Sequence, residues 1–355
     1  MVLYSHHMSK KHKSKIRVAF VGCGRISRNH LESMLALKKE CEVVAVCDVV
    51  PERADAAGRK TGAEVFTNYD EMLRSVNCDL VSIATPSGMH PDMGEKAADA
   101  GFHVLTEKPM AIDLKSADRL IDACDKNGKL LFVVKQNRLN ATMRLLKNAV
   151  DKGRFGRIYC AHVNVFWQRP QAYYDMAPWR GTWALDGGAL MNQASHYVDT
   201  LCWLVGDVAA VSAITGTLAR KTEAEDTASV SLLFADGAIG SVNATMLTYP
   251  KNFEGSVTIL GEKGTVKIGG VAINRIDHWE FAEYDDDDKI IEQCNYTPPN
   301  IYGFGHQPYY ENVFAAIRGD AVPGTDGRTG RKSLEIILAA YKSAREGIRV
   351  ELPFS

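Results

Sequence analysis

The chain lacks what would tie it to a membrane, a nucleic acid or an oxidising compartment. No apolar run approaches the ~20 residues needed to span a bilayer. Formal net charge is −1 over 355 residues, so no global field draws the protein onto nucleic acid or anionic lipid. The eight cysteines form no C-x-x-C pair, and none stands at zinc-ligand spacing from a histidine. Scattered through apolar segments, they read as small core hydrophobes in a reducing cytoplasm, and no metal is expected. There is no internal repeat. The apolar stretch Ile16 to Val21 is too short for a signal peptide and runs straight into a glycine loop. Residues 1–14, with His6-His7 and Lys10-Lys11-His12-Lys13, read as a disordered polar tail.

What is present is ordinary globular material, 46% hydrophobic and 24% charged, long enough for one to three domains and a sizeable core. Ile16-Arg17-Val18-Ala19-Phe20-Val21 has strand length and β-rich composition. It ends in Gly22-Cys23-Gly24-Arg25-Ile26-Ser27, after which Asn29 to Leu37 reads as helix. Strand, glycine turn and helix in that order make a dinucleotide fingerprint. Gly22 permits the tight turn, Gly24 lets backbone approach a pyrophosphate, and amides at the helix start hold the phosphate. Ser27 stands where a third glycine or alanine is usual and is small enough for close packing. A second strand, Val43 to Cys47, ends at Asp48. A carboxylate there accepts ribose hydroxyls and repels a 2′-phosphate, which favours NAD over NADP, although Arg53 lies nearby.

Strands and helices go on alternating. Leu80–Ala84 leads to Thr85-Pro86-Ser87-Gly88-Met89-His90, His103–Leu105 to Glu107-Lys108-Pro109, and Leu130–Val134 follows. Helical segments Met93–Ala100 and Lys115–Lys126 lie between, which implies right-handed crossovers and a parallel sheet. Lys108 therefore stands at a strand's carboxyl end, the edge where open α/β sheets bind ligands.

From about residue 155 the pattern changes. Arg157–Trp167, Ala209–Ala219, Ala228–Phe234, Ile239–Met246, Ser256–Leu260 and Thr265–Ile268 are strand-like and joined by turns. Strands without intervening helices predict a mainly antiparallel open sheet in an α+β domain. Helices are expected at Met191–Val205, Tyr309–Arg318 and Arg331–Glu346, and the acidic run Tyr284 to Lys289 reads as a solvated hairpin tip. On the first of these helices Asn192, His196 and Asp199 are spaced to share one face. A buried structural histidine and a solvated loop lysine are the plain readings of His196 and Lys108 taken singly. Together, behind a cofactor fingerprint, they read as a site.

These features resemble the glucose–fructose oxidoreductase/inositol dehydrogenase (Gfo/Idh/MocA) family. The matching residues are Val21-Gly22-Cys23-Gly24-Arg25-Ile26, Ala84-Thr85-Pro86-Ser87 with His90, Glu107-Lys108-Pro109-Met110, and Gly187-Gly188 leading to His196-Tyr197-Val198-Asp199. The resemblance covers nearly all of 15–350. It implies a Rossmann domain over 15–135 and an α+β domain for substrate binding and oligomerisation over 136–355, assembled as dimers or tetramers. It also implies Lys108 and His196 as the catalytic pair, with NAD held by Gly22, Gly24, Arg25, Ile26, Asp48, Thr85, Pro86, His90, Glu107, Lys108 and Gln136. Many members carry Asp where this chain has Asn192, and an amide cannot serve as a carboxylate base, so that role falls elsewhere.

Trp167 to Tyr174, Trp179 to Trp183 and Gly188 to Gln193 resemble one branch, whose members oxidise the C3 hydroxyl of UDP-linked N-acetylamino sugar uronates for bacterial surface polysaccharide. That implies a UDP-sugar bound by Lys108, Arg169, Tyr173, Arg180, Asn192, Gln193 and His196. Arginines offer forked donors to phosphate or carboxylate, although surface ion pairs use them equally. Two other readings stand beside this one: an inositol, polyol or aldose dehydrogenase of the same family, and a non-catalytic NAD-binding regulator.

Overall fold

The computed structural model describes residues 14–298 and 303–354; the expected tail lies outside these except for Ser14 and the residues that lead into the first strand. Six parallel strands form the first sheet: β1 (Ile16–Val21), β2 (Cys41–Cys47), β3 (Glu64–Phe66), β4 (Leu80–Ile83), β5 (His103–Thr106) and β6 (Leu131–Val133). Their order is β3-β2-β1-β4-β5-β6. The order reverses between β1 and β4, which opens a crevice beyond the strands' carboxyl ends. The central strands are buried on both faces, as expected where helices cover both sides: β1 reads almost wholly buried and β4 entirely so. The three-residue β3 is short and largely exposed, and the sequence pattern missed it.

The second sheet has eight strands: β7 (Ile158–Phe166), β8 (Val208–Gly216), β9 (Thr227–Phe234), β10 (Ile239–Thr245), β11 (Glu254–Gly261), β12 (Gly264–Gly269), β13 (Arg275–Phe281) and β14 (Val350–Glu351). The order is β13-β12-β11-β7-β10-β9-β8-β14, antiparallel throughout except for β7 beside β10. Burial alternates along β9 and β10, so one face is core. The other face carries His162, Asn164, Ser229, Ser241 and Asn243, joined across strands by hydrogen bonds. β13 and β14 escaped the sequence reading because one is mostly exposed and the other has two residues.

The helix His306–Ile317 returns to the first sheet. Tyr309, Tyr310, Val313 and Phe314 pack with Phe20, Leu31 and Phe132 in one buried cluster. The last 50 or so residues thus complete the nucleotide-binding half as well as their own.

Two readings need correction. The acidic run is not a solvated hairpin tip. Asp285 caps a short helix over Asp286–Ile290, Asp285 and Asp287 accept Lys152, and Asp288 accepts Arg154 and Trp279. The predicted helix Met191–Val205 is divided into a π-helical turn, Ala189–Ala194, and an α-helix, Ser195–Val205. Asn192 lies on the wide turn, while Asp199 is salt-bridged to Arg138 and Lys135. His196 and Asp199 still share a face of the regular helix, toward Gln136 and Arg138, and only Asn192, on the wide turn, lies outside that helix. Such turns recur where a side chain must be re-aimed at a site.

Candidate active site

A cleft of about 550 Å³ opens between the carboxyl ends of the first sheet and the segment Tyr173–Asn192. Gly22, Gly24, Arg25, Ile26, Asp48, Thr85, Pro86, His90, Glu107 and Lys108 line one end; Tyr173, Arg180, Asp186 and Asn192 line the other.

The first end is built from backbone. Gly22 has φ +92°, and a Cβ there would lie 2.6 Å from the carbonyl carbon of Ala84. Only glycine avoids both problems. A Cβ on Gly24 would meet nothing within 4 Å, so a ligand can lie directly on the turn. The helix Ser27–Ala36 starts without a side-chain cap. Of its first amides, Ser27 N and Asn29 N donate to Gly24 O and Ile26 O, which leaves Ile26 N and Arg28 N for an anion. Asp48 holds this turn in place: one oxygen accepts Cys23 N at 2.7 Å and the other Val50 N at 2.8 Å. A dinucleotide's pyrophosphate and ribose fit this arrangement.

Behind the turn lies a buried polar network. His30 bridges Glu107 at 2.9 Å and the Tyr310 hydroxyl at 2.7 Å, and Glu107's other oxygen accepts the Lys108 amide at 3.0 Å. This locks the backbone from which Lys108 projects. Burial works to raise the Glu107 pKa, but the His30 imidazole outweighs it and holds the carboxyl far below its ordinary range. His306 brings a ligand atom within 4.8 Å of both, but His30 is already committed to two hydrogen bonds. His90 is buried and spans Thr85 O and Pro109 O, so it shapes both loops at the cofactor end.

Lys108 reaches across the cleft, its ammonium donating to the Asn192 carbonyl at 2.7 Å. Burial pulls its pKa down, opposed by Glu107 and Asp186 and reinforced by Lys135 and Arg169. His196 is buried, and burial together with the Lys108 and Lys135 charges keeps the imidazole neutral. Gln136 Nε2 stands 3.3 Å from His196 Nε2. With that amide donating, the Nε2 lone pair accepts from Gln136 and the imidazole proton sits on Nδ1, which is buried without a partner among the described residues; turned over, the same amide accepts from Nε2–H. Lys108, its pKa depressed, thus lines the cleft, while the neutral His196 is buried and is not among the residues that line it.

Arg169 and Arg180 differ in how they are used. Arg169 is buried and donates to Gln168 O, Asn252 and Gln193. Arg180 lies over the Tyr173 ring at 4.3 Å and the Trp179 ring at 4.7 Å, and its Nε is buried without a hydrogen-bond partner among the described residues. Gln193 donates to the Tyr173 hydroxyl and to the Asn192 carboxamide. One residue that the sequence reading did not single out sits among them. Asp186 is buried, and burial raises its pKa although Gly181 N and Asn192 donate to it. Before Gly187-Gly188 it reads as an ordinary turn aspartate, and no spacing rule draws it to the site.

Residues 16–135 match the model of an oxidoreductase family with an NAD-binding Rossmann fold, and residues 147–352 match that family's C-terminal alpha/beta domain. The chain belongs to the Gfo/Idh/MocA oxidoreductase family. It is an NAD-dependent dehydrogenase. Among solved structures it resembles the WlbA dehydrogenase of Bordetella pertussis, a complex with NADH and UDP-GlcNAcA. The two are 55% identical with a TM-score of 0.94 over 96% of this chain and 99% of that one. The WlbA enzyme of Chromobacterium violaceum, in complex with the same two ligands, is 54% identical with a TM-score of 0.92 over 96% and 97%. Among curated relatives, D-apiose dehydrogenase of Paraburkholderia graminis is 27% identical over 95% of this chain and 90% of its own. The myo-inositol 2-dehydrogenase of Thermotoga maritima is 25% identical over 95% and 98%. No helix among the described residues is long and apolar enough to cross a membrane.

Proposed function

We propose that the protein oxidises the C3 hydroxyl of a UDP-linked N-acetylamino sugar uronate, UDP-N-acetylglucosaminuronate. The observation that carries this is Arg180. A guanidinium that lines the cleft stacked on two rings, with Asp186 near it but no hydrogen-bond partner on its buried Nε among the described residues, can take an anionic ligand. The uronate carboxylate supplies one, whereas inositols and aldoses carry no charge. The WlbA enzymes, whose structures hold UDP-GlcNAcA, support the same substrate at 54–55% identity.

NAD, when bound, accepts the hydride from the alcohol carbon. His196 takes the hydroxyl proton, because its neutral form prevails at working pH. Lys108 donates a hydrogen bond to the same oxygen and stabilises the alkoxide charge as it develops. Its own depressed pKa makes it a second candidate for the base. Tyr173 and Asn192 orient the sugar ring. Cofactor binding centres on 15–135 and substrate binding and assembly on 136–355, with Lys108 serving both ends and the helix His306–Ile317 packed against the first sheet, and the protein works in the cytoplasm as a homo-oligomer.

The test is turnover, followed as NADH, with UDP-N-acetylglucosaminuronate against UDP-N-acetylglucosamine, which lacks only the C6 carboxylate. Leaving Arg180 unpaired costs about 2–5 kcal/mol, roughly thirty-fold or more in efficiency. Equal rates on the two would defeat the uronate assignment. Activity only on free inositol or aldoses would defeat the nucleotide as well.

A further inference from the structure

Four side chains in the substrate end form a hydrogen-bonded line in which every donor points the same way. Arg169 Nη2 donates to Gln193 Oε1 at 2.9 Å, Gln193 Nε2 donates to Asn192 Oδ1 at 3.0 Å, and Asn192 Nδ2 donates to Asp186 Oδ1. The line begins on a cation and ends on a carboxylate, so the two amide dipoles between them are aligned by charge at both ends. A guanidinium can only donate and a carboxylate only accept, which leaves one orientation for each carboxamide. Asp186 is anchored in turn, its second oxygen accepting Gly181 N at 2.7 Å.

Asn192 contributes to the site twice. Its side chain belongs to this line, and its peptide carbonyl holds the Lys108 ammonium at 2.7 Å. It stands on the π-helical turn Ala189–Ala194 rather than within a regular helix. We propose that Asp186 is a positioning residue for the reaction: it terminates the line, fixes Asn192, and through Asn192 and its own charge sets the place and the protonation of Lys108. This is the carboxylate that the Asn192 position lacks, supplied from the preceding turn. Asp186 also faces the Arg180 charge, and the Glu107, Lys135 and Arg169 charges act on the same lysine. Removing the Asp186 charge therefore lowers the Lys108 pKa further, because Asp186 is one of the two groups that raise it.

The inference rests on the proposed substrate only for its turnover assay, so its test has an arm that needs no substrate. Asp186→Asn keeps the size of the side chain but leaves one acceptor oxygen where two are used, so its amide donor is set against either Gly181 N or Asn192 Nδ2. Either way the end of the line loses a matched partner and its charge. The expected result is a fall in kcat of tenfold or more, with NAD affinity within twofold of wild type. The pH at which Lys108 reacts half-maximally with an amine reagent, read by mass spectrometry without substrate, should also move lower. Adding Asn192→Asp to that variant restores a matched donor and acceptor pair with the carboxylate moved one position along the line, and should recover much of the lost rate. An unchanged Lys108 labelling profile in Asp186→Asn overturns the proposal, whichever substrate the enzyme takes. Loss of rate accompanied by an equal loss of NAD affinity or of thermal stability overturns it too, since that is a folding defect. A wild type inactive on the UDP-uronate, with the labelling shift present, would instead fail the substrate reading alone.

Discussion

The two ends of the cleft are built on different principles. At the cofactor end the ligand surface is main chain: a glycine at positive φ, an open glycine, an uncapped helix start, and strand ends held by Asp48 and Glu107. At the substrate end it is side chain upon side chain, with Arg169, Gln193, Asn192 and Asp186 orienting one another and Arg180 stacked on two rings. A backbone site tolerates changes in most side chains and fails when a glycine acquires a Cβ. A side-chain site holds its shape only while every partner keeps its donor or acceptor sense.

The largest test of that contrast is Lys108→Ala. Its side chain touches the substrate end while its backbone belongs to the cofactor end, so kcat should fall about 10²–10⁴-fold while NAD binding, followed by fluorescence titration, stays near wild type. Parallel loss of both would erase the distinction. Next in size is Glu225→Gln. Glu225 is buried, accepts Leu190 N and the Tyr341 hydroxyl beside the π-helical turn, and burial raises its pKa from 4.5 to about 7. A raised carboxyl pKa means that the folded state holds the proton more tightly than the unfolded chain. Stability should therefore be highest below about pH 4.5 on this account and decline up to about pH 7, by ~1.4 kcal/mol for each step of one in pH. Thermal melts across that range should show the decline in wild type and a flatter profile in Glu225→Gln. An identical slope in both would place the titration elsewhere.

Gly22→Ala is the converse of the lysine change. Its Cβ would press on Ala84 backbone at a φ that alanine avoids, at a cost of about 1–3 kcal/mol. NAD affinity should drop at least tenfold, and kcat at saturating NAD should change less. The smallest effect expected is for Asp48→Ala, where NAD affinity weakens several-fold and the preference over NADP narrows, as measured by the ratio of efficiencies with each cofactor. A wild type that already prefers NADP would reverse the role given to Asp48.

How much could be read in advance follows the same division. Gly22, Gly24 and Asp48 are legible because a tight turn, a phosphate approach and a strand end each demand a residue type at a fixed place along the chain. Lys108 is legible because it follows a strand, and strand ends collect on one edge. The spacing of His196 and Asp199 held, since both lie on a regular helix, facing Gln136 and Arg138; only Asn192 departs, carried by a π-helical turn that no spacing rule announces. Arg169 and Arg180 look alike in sequence, yet one is committed inside the protein and the other lines the cleft. Asp186 left no local trace, since its partners lie five and six residues away through turns whose path only folding defines.

By itself the sequence determined the class of the two halves, the parallel sheet with its glycine turn, the mainly antiparallel sheet and the nicotinamide chemistry. These rest on local periodicity, strand-to-helix order and glycine's freedom of backbone, all properties of neighbours in the chain. Tertiary structure alone decided that the helix His306–Ile317 closes the nucleotide-binding core and that a π-helical turn, Ala189–Ala194, precedes the helix carrying His196. It also decided that Asp186 ends a line of donors that starts on Arg169, and that Asn192, within that line, holds Lys108 through its carbonyl. The physical reason is that burial and hydrogen-bond direction depend on groups distant in sequence, and their sense is fixed only when the last partner is in place.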